Sequence, residues 1–289
     1  MRLAACLLLA LLPLQAKMKS RFADVNGIRL HYVENGTGRV ILFLHGFPEF
    51  WYAWKPQLEE FGKTNRAVAV DMRGYNLSSK PEPIEEYGVP HIVDDIHALA
   101  VKLKATRFVL VGHDWGGVVA WSYAMRYPET LDKLVIINAP HPGLFGNELR
   151  DNPAQAKASG YMQIFRSPDA EKILSDSNYA WLGRVLFASL AEQDRAEYIK
   201  AWSQPRALTG GLNYYRAMNL SRIDTKAIET PTLVIWGEKD TALLTGNLRG
   251  LDQVVTHLTI RRIPDGSHWV VHEKPAEVAA YIREFVATR

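Results

Sequence analysis

Short apolar runs alternate with longer amphipathic stretches along this chain, and the pattern predicts alternating strands and helices. The runs are rich in Val, Ile, Leu and Phe, and several are apolar throughout. Continuous runs of this kind are typical of parallel strands that are covered on both faces. The predicted strands lie near Phe22–Val25, Ile28–Glu34, Val40–Leu44, Ala67–Asp71, Arg107–Val111, Leu134–Asn138, Leu233–Trp236 and Leu258–Ile263.

Two of the amphipathic stretches have clear helical signals. Lys274–Thr288 has apolar side chains at helical spacing and carries Pro275 in its first turn, where proline is favoured. His91–Ile96 opens another predicted helix, with acids in its first turns. Strands and helices that alternate in this way predict an α/β fold with a mostly parallel eight-stranded sheet and helices on both of its faces.

The strand signals stop between about His141 and Ile223. This region has a helical pattern and many aromatic residues, so we predict a helical cap, or lid, over residues 141–223. Residues 20–140 and 224–289 then form the core domain. Most of the cap aromatics are expected to be apolar packing.

The composition is that of an ordinary globular protein of 289 residues, with 47% hydrophobic and 22% charged residues. The net charge of +3 comes from scattered basic residues, so we expect no nucleic-acid partner. The single cysteine, Cys6, excludes an intramolecular disulfide framework. Neither a Cys/His cluster with metal-ligand spacing nor a Gly-rich phosphate loop occurs, so no metal and no cofactor are expected.

The N-terminus has its own pattern. A basic start is followed by an apolar run over residues 3–16 and then by Lys17 and Lys19. The run is shorter than the roughly 20 residues that span a bilayer. Residues 1–19 fit a secretory signal peptide, which predicts a secreted or periplasmic protein. The alternative is a hydrophobic tail on a membrane-associated or cytoplasmic protein, with membrane contact through this segment alone.

The first chemical motif is Gly112–Gly117, which reads Gly-His-Asp-Trp-Gly-Gly. It follows a predicted strand and has the spacing of a nucleophile elbow, with Asp114 in place of the usual serine. A carboxylate at this helix N-terminus is favoured in its ionised form and can attack a saturated carbon to give an ester. Taken alone, the motif is also compatible with a simple Gly-rich turn.

Two later motifs complete a catalytic set. Asp240 follows the predicted strand Leu233–Trp236, and His268 lies in a Gly-Ser loop before the C-terminal helix. The chain order of nucleophile, acid and histidine is that of α/β-hydrolases. Three matches in this order favour a catalytic triad over three unrelated turn residues.

Two further motifs carry a family resemblance. His45–Glu49 reads His-Gly-Phe-Pro-Glu, and Asp71–Tyr75 reads Asp-Met-Arg-Gly-Tyr. Together with the elbow, these motifs resemble an epoxide hydrolase of the α/β-hydrolase fold, from about Phe22 to the C-terminus. The resemblance implies a cofactor-free enzyme that acts on an epoxide, here expected to be small and lipophilic, and on water.

The resemblance also implies roles for individual residues. Two cap tyrosines, Tyr161 and Tyr215, would bind the epoxide oxygen and protonate it while Asp114 forms an alkyl ester. His268 and Asp240 would then activate a water molecule, which would hydrolyse the ester to a vicinal diol. A cis peptide before Pro48 is implied as well. The backbone N–H groups of Phe47 and Trp115 are expected to form the oxyanion hole. The substrate pocket is expected to be lined by His45, Pro48, Trp115 and Trp269.

Haloalkane and fluoroacetate dehalogenases share the aspartate nucleophile and form the main alternative. Their pattern fits less well, because Phe47 stands where haloalkane dehalogenases often have Asn. Trp115 stands where fluoroacetate dehalogenases have Arg. A different hydrolase activity on the same fold is a second alternative. A non-catalytic binding protein on the same fold is a further alternative, although it has no need for a complete triad.

Overall fold

Eight strands form one sheet in the computed structural model, which describes residues 18–219 and 226–288. All eight predicted strands are confirmed, with ends that differ from the prediction by at most three residues. Their observed bounds are β1 (Lys19–Val25), β2 (Ile28–Asn35), β3 (Val40–Leu44), β4 (Arg66–Val70), β5 (Phe108–His113), β6 (Leu131–Ile137), β7 (Thr232–Gly237) and β8 (Leu258–Ile263).

The sheet has the strand order β1-β2-β4-β3-β5-β6-β7-β8. β2 pairs antiparallel with β1 and β4, and the remaining neighbours are parallel, which confirms the predicted mostly parallel sheet. Because β3 and β5 are central, the loops that follow them lie side by side at the carboxyl edge of the sheet. Ligands of open parallel sheets bind at this edge.

Helices cover both faces of the sheet. In the first half of the chain these are α1 (Lys55–Phe61), α2 (Val89–Lys102) and α3 (Trp115–Arg126). α2 begins two residues before the predicted start at His91, because Pro90 occupies its first turn. Asp94 and Asp95 therefore lie two residues, about half a turn, further into the helix than predicted.

A helical segment lies between β6 and β7. Its described part contains α4 (Pro142–Asp151), α5 (Pro153–Ala158), α6 (Tyr161–Arg166), α7 (Ala170–Leu186), α8 (Glu192–Trp202) and α9 (Ala207–Ala217). We call this part the inserted helices. The last residues of the predicted cap, 220–223, lie outside the described residues.

Three helices complete the chain: α10 (Leu251–Val254), α11 (Val270–Glu273) and α12 (Pro275–Ala287). α12 is the predicted C-terminal helix, with its proline in the first turn. It packs with α1 on one face of the sheet, and α2 and α3 pack on the other. Alternate side chains of each central strand point to opposite faces of the sheet. Because both faces are covered by helices, these strands need an apolar side chain at every position.

The predicted N-terminal segment, residues 1–19, lies outside the described residues except for its last two. Lys19 already belongs to β1. Over the described residues, no helix has both the length and the apolar character that a bilayer span requires.

Candidate active site

Asp114 occupies a sharp turn between β5 and α3. Its backbone has φ 51° and ψ −121°, a positive φ that a side-chain-bearing residue rarely adopts. The turn is possible because two glycines pack against backbone. A Cβ on Gly112 would lie 2.3 Å from the carbonyl oxygen of Gly116, and one on Gly116 would lie 2.2 Å from that of Leu44. The strained turn directs the Asp114 carboxylate away from the sheet.

The loop after β3 supplies a hydrogen bond to this carboxylate. The backbone N–H of Phe47 donates to Asp114 Oδ1 at 2.9 Å. The Phe47–Pro48 peptide bond is cis, as the resemblance implied. Trp115 is the first residue of α3, where backbone N–H groups have no partner within the helix. Of the two N–H groups predicted as an oxyanion hole, that of Phe47 thus contacts the carboxylate, and that of Trp115 belongs to the residue directly after Asp114.

His268 and Asp240 approach Asp114 from the ends of β8 and β7. His268 Nε2 lies 3.6 Å from Asp114 Oδ2, and His268 Nδ1 lies 2.7 Å from Asp240 Oδ2. The backbone N–H groups of Ala242 and Leu243 donate to Asp240 Oδ1, at 2.8 Å each. The structure therefore brings the three predicted residues into one chain of contacts.

Burial and charge oppose each other at His268. Burial alone would lower the pKa of its imidazole, but the Asp240 carboxylate, the hydrogen bond to it and the nearby Asp114 raise that pKa to about 9. Burial would likewise raise the pKa of Asp240, yet the charge and hydrogen bond of His268 hold it below its usual value. The pair is therefore stabilised as imidazolium and carboxylate.

A buried network behind the triad was missed from the sequence. Glu49 accepts hydrogen bonds from His113 Nδ1, at 2.9 Å, and from His272 Nε2. The other ring nitrogen of His113 lies 2.9 Å from the carbonyl oxygen of His268. Burial would raise the pKa of Glu49, but the two histidines hold it well below its usual range. This network fixes the backbone of the loop that carries His268.

Asn138, at the end of β6, was also missed. Its side chain donates to Asp240 Oδ2 at 2.8 Å, and its Oδ1 accepts from the backbone N–H of Gly237 at 2.8 Å. Glu49 and His113 belong to motifs that the sequence analysis quoted, yet their partners are far along the chain. Only the fold shows that these polar side chains meet.

Tyr161 and Tyr215 come from two of the inserted helices, α6 and α9. Their ring centroids are 6.3 Å apart with the planes at 79°, and Tyr215 also packs edge-on against Trp115 at 5.1 Å. Burial, followed by nearby negative charges, raises the pKa of both phenols far above the ordinary tyrosine value. Both hydroxyl groups therefore keep their protons at neutral pH and can act as donors.

Two cavities adjoin the carboxylate and the phenols, and we call them the large arm and the small arm. The large arm has a volume of about 440 Å³ and the small arm about 100 Å³, and both are lined by Asp114, Tyr161 and Tyr215. Trp115 lines the large arm, whereas Phe47, Pro48, His268 and Trp269 line the small arm. Most of the predicted site residues thus surround one space.

His45 is the exception among the predicted pocket residues. It is fully buried, and its Nε2 accepts the backbone N–H of Met72 at 3.2 Å. Its Nδ1 then carries the proton and donates to the carbonyl oxygen of Gly46 at 2.8 Å. With both ring nitrogens bound to backbone, His45 braces the loops behind the cavity and does not face a substrate.

Known proteins with similar sequences are hydrolases of the α/β fold. A family profile described as alpha/beta hydrolase fold matches residues 39–275. Epoxide hydrolase 2 of Caenorhabditis elegans is 35% identical over 281 residues, which cover 92% of this chain and 79% of that protein. An AB hydrolase superfamily protein of Bacillus subtilis is 38% identical over 288 residues, 93% of this chain and 98% of that protein.

Solved structures of epoxide hydrolases are also similar to this chain. The crystal structure of the Bacillus megaterium epoxide hydrolase in complex with an inhibitor matches with a TM-score of 0.89 and 34% identity. The match covers 93% of this chain and 100% of that one. A variant of an epoxide hydrolase from the same organism was solved with its product, a naphthyloxy-propane-1,2-diol.

Proposed function

The chain belongs to the α/β hydrolase fold family and is an epoxide hydrolase, and from this premise we propose the residues and steps of its reaction. Asp114 is the nucleophile, Tyr161 and Tyr215 are the proton donors, and His268 with Asp240 activates water. The substrate is a lipophilic epoxide and the product is a vicinal diol. No cofactor takes part in either step.

In the first step, an Asp114 carboxylate oxygen attacks one carbon of the epoxide ring. The bond between that carbon and the ring oxygen breaks, and the oxygen takes a proton from one of the two phenols. The result is a hydroxyalkyl ester on Asp114 and a phenolate, which regains its proton from water. Two phenols on one oxygen stabilise the charge that develops as the ring opens.

In the second step, His268 takes a proton from a water molecule that attacks the carbonyl carbon of the Asp114 ester. The oxyanion that forms is stabilised by the backbone N–H groups of Phe47 and Trp115. The ester bond then breaks, the departing diol oxygen takes the proton from His268, and Asp114 is left as a carboxylic acid. Asp114 returns to the carboxylate by releasing its proton to the hydroxide that formed when the phenolate took a proton from water. Asp240 holds the imidazole in position and stabilises its charged form.

One arrangement carries this proposal. A carboxylate and two protonated phenols face each other across a single apolar space, with a histidine 3.6 Å from the carboxylate. Attack from one side and proton donation from the other are what the opening of an epoxide requires. A halide leaving group needs no proton, so paired phenols have no evident use in a dehalogenase.

The test follows the oxygen atoms through a single turnover. With enzyme in excess and water enriched in oxygen-18, we expect the label to appear first in the peptide that contains Asp114. This is because water attacks the carbonyl carbon of the ester. Asp114→Ala should form no diol while it keeps the wild-type melting temperature.

A matched panel separates the alternatives. Aryl and alkyl epoxides are assayed for diol beside haloalkanes of the same carbon skeleton, which are assayed for halide. We expect diol and no halide. Label that enters only the diol would contradict the covalent mechanism, and faster halide release would contradict the epoxide assignment.

A further inference from the structure

The large arm and the small arm meet at the reacting side chains. Among the described residues that line the two arms, Asp114, Tyr161 and Tyr215 are the only ones common to both. These are the three side chains that the proposed first step uses. An epoxide ring must therefore lie at the junction of the arms while it reacts.

The position of the ring determines where its substituents go. The ring oxygen faces the phenols, and attack on a ring carbon comes from the side opposite the oxygen. The bond between the two ring carbons then runs across the junction. A substituent on one carbon enters the large arm, and a substituent on the other enters the small arm.

The two arms differ in size by about fourfold, from the volumes of about 440 Å³ and about 100 Å³. The larger value lies within the usual range for pockets that bind drug-sized ligands. At about 30 Å³ for a water-sized group, the smaller value fits about three non-hydrogen atoms. The arms therefore enclose substituents of different size.

The lining explains what each arm accepts. The large arm is lined by the apolar residues Val118, Phe145 and Met162 and also by the exposed residues Ile84 and His91. Its inner part is apolar and suits an aryl or long alkyl group. Its outer end leaves room for further length.

The small arm is bounded by Trp181, Leu182, Val185 and Trp269, and it also contains His268. The water that hydrolyses the ester must lie beside His268, and so in this arm. A short substituent leaves space for that water, whereas a long one would displace it. Both size and chemistry thus limit the substituent on this side.

We propose that this enzyme selects epoxides with one bulky apolar substituent, bound in the large arm, and one substituent of at most about three carbons, bound in the small arm. The proposal rests on the proposed function and specifies its substrate class. Terminal epoxides, in which the second substituent is hydrogen, belong to the class. Epoxides with two long substituents do not.

Two substrate series test the proposal on the wild-type enzyme. In the first, one ring carbon bears a constant phenoxymethyl group, and the other bears hydrogen, methyl, propyl or hexyl. In the second, one carbon bears a constant methyl group, and the other grows from methyl to naphthyloxymethyl. We expect kcat/KM to fall at least about 10-fold between propyl and hexyl in the first series. In the second series it should not fall.

Two substitutions assign the arms. Val185 lines the small arm and is 39% exposed, and Met162 lines the large arm and is half-buried, so neither is a fully buried core position. Val185→Trp should lower the ratio of kcat/KM for propyl to that for hydrogen by about 10-fold. Met162→Trp should instead lower the ratio for naphthyloxymethyl to methyl in the second series.

Equal activity on hexyl and methyl members, or a shift of the same ratio by both variants, would overturn the proposal. If a variant does not reach the wild-type melting temperature, the two wild-type series decide alone. The terminal phenoxymethyl epoxide separates this proposal from the proposed function. If folded wild-type enzyme forms no diol from it, the proposed function fails, whereas diol without length dependence overturns only the two-arm selection.

Discussion

His268 faces two carboxylates, and their charges decide when it can act as a base. Asp240 lies 2.7 Å from one ring nitrogen, and Asp114 lies 3.6 Å from the other. Burial opposes the imidazolium, but the two negative charges outweigh it and raise the His268 pKa to about 9. In the free enzyme at neutral pH, His268 is therefore protonated and is not a base.

In the proposed mechanism, alkylation of Asp114 changes this balance. The ester is neutral, so one of the charges that raise the His268 pKa is removed while burial remains. We expect the pKa of His268 in the alkyl-enzyme to lie below about 9. Ester hydrolysis needs neutral imidazole, so its rate should be full above that lowered pKa and should be lost as the pH falls through it.

Stopped-flow fluorescence with excess enzyme can follow ester hydrolysis across the pH range. His268→Gln supports the assignment, because it should accumulate an adduct with the mass of enzyme plus substrate. A hydrolysis rate that falls with an apparent pKa still at about 9 would show that the Asp114 charge does not control His268.

The two phenols should act on the first step alone. Removing one hydroxyl in Tyr215→Phe should slow alkylation on the order of 10²-fold, since general-acid catalysis typically contributes that much. Ester hydrolysis should stay nearly unchanged, because His268 and the oxyanion-hole N–H groups are untouched. The double variant, with Tyr161→Phe added, should leave almost no ring opening.

The measurement is again pre-steady-state, with the fluorescence of Trp115 reporting alkylation. Trp115 packs against Tyr215 with ring centroids 5.1 Å apart. The Tyr215→Phe variant therefore also shows how much of the Trp115 fluorescence depends on the Tyr215 hydroxyl. If the double variant opens epoxides at close to the wild-type rate, the two tyrosines serve only as apolar packing. The epoxide mechanism would then lose its proton donor.

At the scale of elements, the sequence predicted strands better than it predicted polar contacts. Strands that are buried on both faces need apolar runs such as Val40–Leu44, and such runs are visible without any partner. The elbow was predicted for a similar reason, because its glycines and nucleophile are contiguous. Glu49 and His272 are 223 positions apart, so no local pattern could pair them. His45 was predicted to line the pocket because its neighbours in the motif, Phe47 and Pro48, were expected at the active site. The His45 ring instead binds backbone behind the loop.

Helix α9 carries Tyr215 and depends on a glycine to reach the core. A Cβ on Gly210 would lie 2.2 Å from the carbonyl oxygen of Gly74, which belongs to the loop after β4. We expect Gly210→Ala to move α9 outward and to destabilise the protein by about 1–3 kcal/mol, as overpacking usually does.

The same shift should move the Tyr215 hydroxyl from the epoxide oxygen and slow alkylation more than ester hydrolysis. Thermal unfolding measures the first effect, and single-turnover kinetics measure the second. Gly88→Ala is a milder comparison, because the nearest atom to its Cβ would be 3.3 Å away and Gly88 precedes α2, which carries neither tyrosine. Equal effects of the two substitutions on alkylation would contradict a positioning role for the close contact.

For the whole molecule, the site is divided between two distant parts of the chain. The core supplies the carboxylate and the histidine, and the inserted helices supply the phenols. Buried hydrogen bonds join the two parts: Trp202 Nε1 donates to the Pro48 carbonyl oxygen at 2.6 Å, and Tyr214 Oη donates to the Arg73 carbonyl oxygen at 2.8 Å. The geometry of the reaction therefore depends on how firmly the core holds these acceptors.

Arg73 is held by a buried ion pair. Its guanidinium contacts both carboxylate oxygens of Asp95, at 2.7 Å and 2.9 Å, and the two side chains are 2% and 1% exposed. Removing one partner leaves the other charge buried without full compensation, which typically costs about 3–5 kcal/mol. We expect Asp95→Asn to approach the lower end of this range, because Glu86 still pairs with Arg73.

The control is an exposed pair of the same chemistry. Asp151→Asn breaks the contact with Arg150, in which the side chains are 63% and 66% exposed, and it should cost less than about 1 kcal/mol because water screens the pair. Urea unfolding of both variants measures the difference in free energy of unfolding.

Because Tyr214 donates to the backbone of Arg73, loosening the Arg73–Asp95 pair should also slow alkylation through the neighbouring Tyr215. Equal stability of the two variants would show that the Arg73–Asp95 pair does not tie the inserted helices to the core.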